Sequence, residues 1–308
     1  MKEGHLMTYG KTTWLIGDGF WDSHSNGLFN SHESVCVLNT SDKDAEITMT
    51  LYFEDRDEMG GFKAQCGAKR THHTRMDKLK ATDGRSVPQD VPYAMLVESS
   101  VPVLLVEDTR LAYALMAGNF FGNPAQKLKL VGVTGTNGKT STTFIMKHVL
   151  EQLGEKVGLV GTIVNMVGDE AEEADGTTPD AMQLHALFAR MVERGCGWCV
   201  MEVSSHALDQ NRVAGLHFAC GIFTNLTQDH LDYHETMENY RIAKQKLFDI
   251  SEVGVFNFDD PSTELMMKQA KTKKNLTFST TSDFADVTAK NIRLFPDHVE
   301  YQVVSRGC

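Results

Sequence analysis

The sequence predicts an N-terminal all-β sandwich followed by an α/β domain with a parallel sheet. Residues 10–105 contain short apolar runs that are separated by turn clusters and have no helical periodicity, a pattern typical of antiparallel sandwiches. From Leu128 onward the pattern changes to strand, turn and helix, repeated several times. This alternation is typical of a parallel sheet with helices on both faces. Ligands of such sheets bind at the carboxyl ends of the strands.

Composition limits the class of protein. The chain has 308 residues, enough for two or three domains, and a formal charge of −11, which argues against a general nucleic-acid binder. No apolar run approaches membrane-spanning length, and the N-terminus lacks the apolar core of a signal peptide. Six scattered cysteines suit a reducing compartment. We therefore expect a cytoplasmic protein without a membrane span.

The N-terminal strands are predicted from four runs, "TTWLIG", "ESVCVLNT", "AEITMTLYFED" and "YAMLVESSVPVLLVE", with turns at "SHSNG" and "TSDKD". His72 and His73 are adjacent on a further predicted strand, so their side chains point to opposite faces and metal binding is disfavoured. The stretch "RLAYALMAGNFFGNPAQK" that follows the sandwich predicts a helix and a linker.

The second half alternates regularly. Strands are predicted at "LKLVGVTG", "KVGLVGT", "WCVMEV", "ACGIFTN" and "GVFNFDD". The helix "KTSTTFIMKHVLEQLG" ends at Gly154, and the helix "TPDAMQLHALFARMVERG" has Thr178 as its predicted N-cap, Pro179 in its first turn and Gly195 as its stop. A third, amphipathic helix is "TMENYRIAKQKLFDI".

The segment from Gly135 to Thr140, "GTNGKT", follows a strand and opens a helix, which is the context of a phosphate-binding P-loop. Glycines let backbone N–H groups face an anion, and the helix N-terminus adds its dipole. Lys139 would reach terminal phosphates and Thr140 would hold Mg²⁺. The spacing departs from G-x-x-x-x-G-K-[ST] because Val133 replaces the first glycine, so a plain glycine-rich turn is the alternative. A second Gly-Lys-Thr, at Gly10, precedes a β-rich run and is interpreted as a strand start.

Acidic and histidine side chains follow neighbouring predicted strands. Glu202 ends "WCVMEV" and His230 lies beyond "ACGIFTN", where ligands of a metal–nucleotide site would be needed, although a lone histidine is more often structural. Spacing alone makes Lys244 a surface lysine. The pair Cys196 and Cys199 enters a predicted buried strand and is interpreted as two core cysteines, because no second pair completes a zinc site.

Five motifs together resemble the Mur ligase family, and within it the MurE-type ligases: "GVTGTNGKTST", "GTTPD", "MEVSSHALDQNRV", "TNLTQDHLDYH" and "YRIAKQKLF". The resemblance implies ATP and Mg²⁺ as cofactors. It implies that the ATP phosphates are bound by Gly135, Thr136, Asn137, Gly138, Lys139, Thr140 and Ser141. It implies metal coordination by Thr140, Glu202, His230 and a carboxylated Lys244. Lys139 and Lys244 are the implied catalytic residues.

The implied reaction is ATP-dependent amide formation in peptidoglycan precursor synthesis. The glutamyl carboxylate of UDP-N-acetylmuramoyl-L-alanyl-D-glutamate would attack the γ-phosphate, and an amino acid, diaminopimelate or lysine, would then displace phosphate from the acyl phosphate. The protein contributes positioning and charge neutralisation. The implied contacts to the UDP-muramoyl-dipeptide are Thr177, Thr178, Ser204, Gln210 and Arg212.

Three segments are expected. Residues 8–105 form the sandwich, whose motifs "GKTTWLIGDGFW" and "KRTHHTRMDKL" resemble the sensory rhodopsin transducer family and imply a homo-oligomer. Residues 106–127 resemble the tail of a Mur N-terminal domain. Residues 128–308 resemble the Mur central domain, with the C-terminal domain outside the chain, so an incomplete catalyst is expected.

The alternative function for this chain is a non-enzymatic, oligomeric binding or signal-transducer module with a remnant ligase domain.

Overall fold

The computed structural model describes residues 10–21, 33–106 and 109–306, so the turn predicted at 23–27 lies outside the described residues. The chain divides into two compact units, Met1–Thr109 and Arg110–Cys308. Each unit is described by itself.

The first unit is entirely antiparallel. Its strands are β1 Lys11–Gly19, β2 Ser34–Asn39, β3 Ala45–Tyr52, β4 Met59–Cys66, β5 Arg70–Arg75 and β6 Tyr93–Val106. The long strand β6 is shared: its first half pairs with β1 and β3, and its second half pairs with β2, which in turn pairs with β5. β1 starts at Lys11, as predicted for the second Gly-Lys-Thr.

One core joins the two halves of this unit. Burial alternates along β3, and its Ile47 and Met49 share a cluster with Val37 of β2 and Phe62 of β4. The predicted antiparallel β-unit is therefore confirmed. Strand β4 was not among the predicted runs, because Gly60 and Gly61 weaken its strand signal and pairing with β3 decides its structure.

The second unit is an α/β fold. Its helices are α1 Thr109–Phe120, α2 Lys139–Gln152, α3 Ala181–Glu193, α4 Ser205–Asp209, α5 Leu231–His234, α6 Met237–Asp249 and α7 Thr263–Gln269, with a short 3₁₀ turn at Pro124–Lys127. Its strands are β7 Lys129–Thr134, β8 Val157–Val160, β9 Val164–Val167, β10 Glu170–Glu173, β11 Trp198–Glu202, β12 Phe218–Phe223, β13 Ser251–Asn257, β14 Lys274–Ser279, β15 Val287–Leu294 and β16 Val299–Ser305.

These ten strands form one sheet in the order β10-β9-β8-β11-β7-β12-β13-β14-β15-β16. The run from β8 to β15 is parallel, whereas β9, β10 and β16 are antiparallel additions at the two edges. In β11, Val200 packs in a cluster with Leu150 of α2, and Met201 packs in another with Phe188 of α3. Helices therefore cover both faces of the sheet, as predicted.

The start of α3 differs from the prediction. The N-cap is Asp180, whose carboxylate accepts hydrogen bonds from the backbone N–H groups of Met182 and Gln183 at 2.9 and 3.0 Å. Thr178 is not the cap, because its hydroxyl donates instead to the backbone carbonyl of Glu202 at 2.9 Å. The prediction of Thr178 as N-cap was therefore wrong. Its hydrogen bond to the Glu202 carbonyl places Thr178 beside the end of β11.

Several other features bear on the sequence predictions. Cys196 and Cys199 are buried in the core on the α3 side, as predicted, and burial raises the pKa of both thiols.

The sequence did not predict three groups of elements: the hairpin of β9 and β10, the short helices α4 and α5, and the elements from α7 to β16. No helix in the described part of the chain has the length and apolar character that crossing a membrane requires.

Candidate active site

The predicted P-loop lies between β7 and α2, at the carboxyl edge of the sheet. Gly135 has φ of 147°, and a Cβ added there would lie 1.9 Å from Oγ1 of Thr224 at the end of the neighbouring strand β12. Gly138 has φ of 84° and is the N-cap of α2. Only glycine suits both positions. The loop can therefore approach β12 closely, and the N-terminus of α2 opens directly onto the loop.

A segment after β12 holds this loop in place. The backbone N–H of Thr136 donates to the carbonyl of Asn225, and the N–H of Asn137 donates to its side-chain oxygen, both at 2.9 Å. The Thr224 hydroxyl donates to the carbonyl of Asn137 at 2.7 Å. The motif "TNLT" supplies these residues, whereas the sequence predicted a role only for the histidine that follows it.

Two lysine amines converge on one loop carbonyl. The Lys139 and Lys244 amines each donate to the carbonyl oxygen of Gly135 at 2.9 Å. Lys139 also donates to the carbonyl of Thr136 at 2.9 Å. Burial lowers the pKa of both amines, and for Lys244 burial together with the nearby Lys139 lowers the pKa to about 7. The site therefore concentrates positive charge and one poorly solvated amine at the P-loop.

Lys244 is not the surface lysine that its spacing indicated. It is 1% exposed, and its amine lies 4.3 Å from the centre of the Tyr240 ring. Arg241 and Lys246, on the same helix, are the cations nearest to it in the sequence. However, the side chain of Arg241 bonds Glu238 and that of Lys246 bonds Asp209, so Lys139 is the cation that acts on its pKa.

Thr140 and Glu202 meet as predicted. The Thr140 hydroxyl donates to the buried Glu202 carboxylate at 2.9 Å. The same carboxylate accepts from the backbone N–H and the hydroxyl of Thr162, at 2.9 and 3.0 Å. This set of carboxylate and hydroxyl oxygens fits Mg²⁺, which is commonly held by one or two carboxylates together with substrate phosphates. Thr162 was missed in the sequence, although it lies only two residues beyond the end of β8.

His230 lies further out than Glu202. Its exposed side chain is 3.5 Å from the Asp229 carboxylate, and its ring centre is 4.9 Å from that of His206. Across residues 10–21, 33–106 and 109–306, no group of three or more His, Cys, Asp or Glu side chains is close enough to hold a metal ion. The structure thus brings Thr140 and Glu202 together and places His230 beside a second histidine.

A polar cleft of about 740 Å³ opens between α3, the β9–β10 hairpin and the segment after β11. Its lining includes the predicted substrate residues Thr177, Thr178, Ser204 and Arg212, together with His206 and His230. The Thr177 hydroxyl lies 3.1 Å from that of Thr162, which bonds Glu202. A ligand in the cleft would therefore lie next to the P-loop site.

Arg212 is positioned by two groups. It donates from Nη1 to the carbonyl of Thr178 at 2.9 Å, and from Nε and Nη2 to the side-chain oxygen of Gln210 at 3.1 and 2.7 Å. Gln210 thus acts on the cleft by orienting the guanidinium, whose planar shape suits a carboxylate or phosphate.

Ser141, the remaining predicted loop residue, is exposed in the first turn of α2.

Comparisons with known proteins match both units. The family model of the Mur ligase middle domain matches residues 133–307, and that of the Anabaena sensory rhodopsin transducer matches residues 9–117. The N-terminal domain is therefore similar to that transducer, as the sequence suggested.

Two curated relatives and one solved structure show the extent of the similarity. The chain is 46% identical over 216 residues to UDP-N-acetylmuramoyl-L-alanyl-D-glutamate–2,6-diaminopimelate ligase of Clostridium perfringens, covering 68% of this chain and 44% of the relative. The ligase of the same name from Parabacteroides distasonis is 49% identical over 193 residues, which cover 61% of this chain and 40% of that ligase. A solved structure of a ligase with this name has a TM-score of 0.58 at 29% identity and covers 65% of this chain and 42% of its own. The chain thus spans less than half the length of these relatives.

Proposed function

Because the chain belongs to the Mur ligase middle-domain family, we propose that it binds ATP with Mg²⁺ and serves MurE-type amide formation in peptidoglycan precursor synthesis. The substrate would be UDP-N-acetylmuramoyl-L-alanyl-D-glutamate, and the incoming amino acid diaminopimelate, which the relatives' name specifies, or lysine. The reaction would take place in the cytoplasm, where the nucleotide precursor is made.

One observation carries the ATP proposal: two lysine amines meet at the Gly135 carbonyl, at the mouth of a loop that opens a helix. A polyphosphate would give Lys139 a stronger acceptor than the two carbonyls that it now contacts. Backbone N–H groups of residues 138–141 would bond the phosphate oxygens at the start of α2. The loop needs little rearrangement for this, because Asn225 already fixes its backbone.

The oxygen cluster at Glu202 would hold the metal. When bound, Mg²⁺ neutralises phosphate charge during transfer. Glu202 and Thr140 would be its protein ligands, and His230 would complete the site from the side of the cleft. Thr162 keeps the Glu202 carboxylate oriented through two hydrogen bonds.

The cleft would hold the UDP-muramoyl-dipeptide. Arg212 would bind one of its anionic groups, and Thr177, Thr178 and Ser204 would bond its polar atoms. The glutamyl carboxylate would then face the γ-phosphate across Thr162, and its attack would give an acyl phosphate and ADP. The amine of the incoming amino acid would attack the acyl carbon, forming the amide and releasing phosphate.

Lys244 would act as a carbamate. Its amine is buried beside Lys139, which lowers the pKa and so supplies the neutral form that reacts with CO₂. Carboxylation would replace a cation with a negative oxygen donor that faces Lys139 and the metal. Lys139 and Lys244 would then act together, one on phosphate and the other on the metal.

Titration of the full chain with Mg-ATP tests the nucleotide site. Lys139→Ala should weaken binding at least tenfold, about 1.4 kcal/mol, because it removes a charge-assisted bond to phosphate. Lys11→Ala is a matched control, since Lys11 stands in the second Gly-Lys-Thr but at the start of β1. Equal affinities for wild type and Lys139→Ala would refute the proposal.

The N-terminal domain would add a second role. Similarity to the transducer family supports a homo-oligomer that forms through residues 8–105, with residues 106–127 leading into the Mur domain at 128–308. Leu15 on β1 is 73% exposed, as expected for a residue that another copy covers. Light scattering of the full chain should give more than one copy per particle, and Leu15→Lys should reduce that number. If Lys139→Ala leaves ATP binding unchanged but the oligomer persists, the non-enzymatic transducer alternative is favoured.

A further inference from the structure

Asn165, on β9, has a buried side-chain oxygen that accepts no hydrogen bond from the described residues. The residue is 6% exposed and lines the 740 Å³ cleft. Buried polar atoms nearly always have a partner, so an unpaired oxygen on a residue that lines a cleft indicates that a ligand supplies the missing donor.

Strand register explains why this oxygen lacks a protein partner. Asn165 lies opposite Val160 of β8, which is aligned with Met201 of β11. Laterally paired residues point to the same face of a sheet. Val160 and Met201 both belong to the apolar core under α3. The Asn165 amide therefore lies at the margin of an apolar core, where burial of a polar group without a hydrogen-bond partner lowers the free energy of unfolding.

A charged donor that lines the same cleft, Arg190, is already engaged. Asn165 also lies opposite Glu172 of β10, and the Glu172 carboxylate accepts a hydrogen bond from Arg190 of α3 at 2.7 Å. Glu172 and Arg190 both line the cleft. This ion pair links the hairpin to α3 and occupies Arg190, which does not bond the Asn165 oxygen.

We propose that Asn165 is a specificity-determining residue that accepts a hydrogen bond from an uncharged N–H or O–H group of the ligand in the cleft. The inference rests on the proposed function, whose UDP-muramoyl-dipeptide carries amide N–H groups and sugar hydroxyls. Arg212 recognises the ligand's negative charge, and Asn165 recognises its neutral donor. A ligand that lacks the donor leaves the oxygen buried and unpaired, and is discriminated against for that reason.

Calorimetric titration of the full chain with UDP-N-acetylmuramoyl-L-alanyl-D-glutamate tests the proposal. Asn165→Ala and Asn165→Leu should each weaken binding about fivefold, the effect of losing one neutral hydrogen bond. Asn165→Leu should melt at the same temperature as wild type or higher, because leucine replaces an unpaired polar group with an apolar one of similar size. Met166→Ala is the control: Met166 is the next residue on β9 and points to the other face.

Titration with UDP-N-acetylmuramic acid locates the donor. If the fivefold loss persists with this shorter ligand, the donor belongs to the sugar or its acetamido group. If the loss disappears, the donor is a peptide N–H. Wild-type affinity for the dipeptide in both Asn165 variants would overturn the inference and leave the proposed substrate standing. Failure of the wild type itself to bind the dipeptide would overturn the proposed substrate, and the inference with it.

Discussion

The amines of Lys139 and Lys244 share one hydrogen-bond acceptor, the carbonyl oxygen of Gly135, at 2.9 Å each. Two ammonium groups on one carbonyl oxygen repel each other, and burial of Lys244 removes the water that would screen them. The arrangement favours either loss of a proton from Lys244 or arrival of an anion. Both outcomes lead to measurable predictions.

We expect the free energy of unfolding to depend on pH through Lys244. In the folded protein its pKa is about 7, against an ordinary value of 10.5. Between these values the unfolded chain binds more protons, so stability rises with pH by up to about 1.4 kcal/mol per unit and is lost as pH falls to 7. Lys244→Met should flatten this slope in urea unfolding measured from pH 6 to 10.

Lys246→Met provides the control for that slope. Lys246 lies on the same helix, but its side chain is 42% exposed and is paired with Asp209. Its replacement should leave the pH dependence of wild type intact. A Lys244→Met profile that is parallel to the wild-type profile across the whole range would contradict the prediction.

Carboxylation of Lys244 should be directly observable. A neutral amine attacks CO₂ and releases one proton, so near pH 8 the wild type in ¹³C-bicarbonate should show a carbamate carbon resonance. Lys244→Met should abolish that resonance and Lys246→Met should retain it. Absence of the resonance from wild type at saturating bicarbonate, with Mg-ATP present, would count against the modification.

Gly135→Ala should damage both stability and nucleotide binding. The new Cβ would lie 1.9 Å from the Thr224 hydroxyl oxygen, so β12 and the loop would have to separate. We expect a loss of about 2 kcal/mol or more and weaker ATP binding. Gly176→Ala, where an added Cβ meets nothing within 4 Å, should melt like wild type. Similar melting temperatures for the two variants would show that the loop tolerates the methyl group.

Asp180→Ala should destabilise the second unit by about 1 kcal/mol, because it removes the cap of α3. Asp180→Asn keeps a side-chain oxygen that can accept from Met182 and Gln183, so it should restore most of the loss. Thermal unfolding of the three proteins is the measurement. An asparagine variant as unstable as the alanine variant would show that the charge of Asp180, rather than its cap, matters.

The sequence predicted the side of the sheet on which the site lies, because strand ends can be read from local patterns. Glu202 ends β11 directly beside Val133 of β7, and its carboxylate reaches Thr140 as expected. Local patterns could not predict which side chain would cap α3. Thr178 and Asp180 are both good caps, and the choice depends on the carbonyl of Glu202, which is distant in sequence.

Helix α6 shows why Lys244 needed the resemblance. Its buried side includes Arg241, Lys244 and Gln245 beside Tyr240 and Leu247, so polar residues lie on the side of the helix that apolar residues normally occupy. Such departures from the apolar pattern concentrate at functional sites. Asn225 and Thr162 were missed for a related reason, since their partners lie 88 and 40 residues away in the chain.

Gly135 and Lys244 are 109 residues apart in sequence, and Asn137 and Asn225 are 88 apart. Contacts between residues so distant in sequence cost loop-closure entropy, and they form only after β7, β12 and α6 have packed. The ability to bind nucleotide should therefore appear late in refolding. Interactions that form late act mainly on the unfolding rate. Bound nucleotide should therefore slow unfolding far more than it speeds refolding, and the lifetime of the folded domain should follow the concentration of ATP.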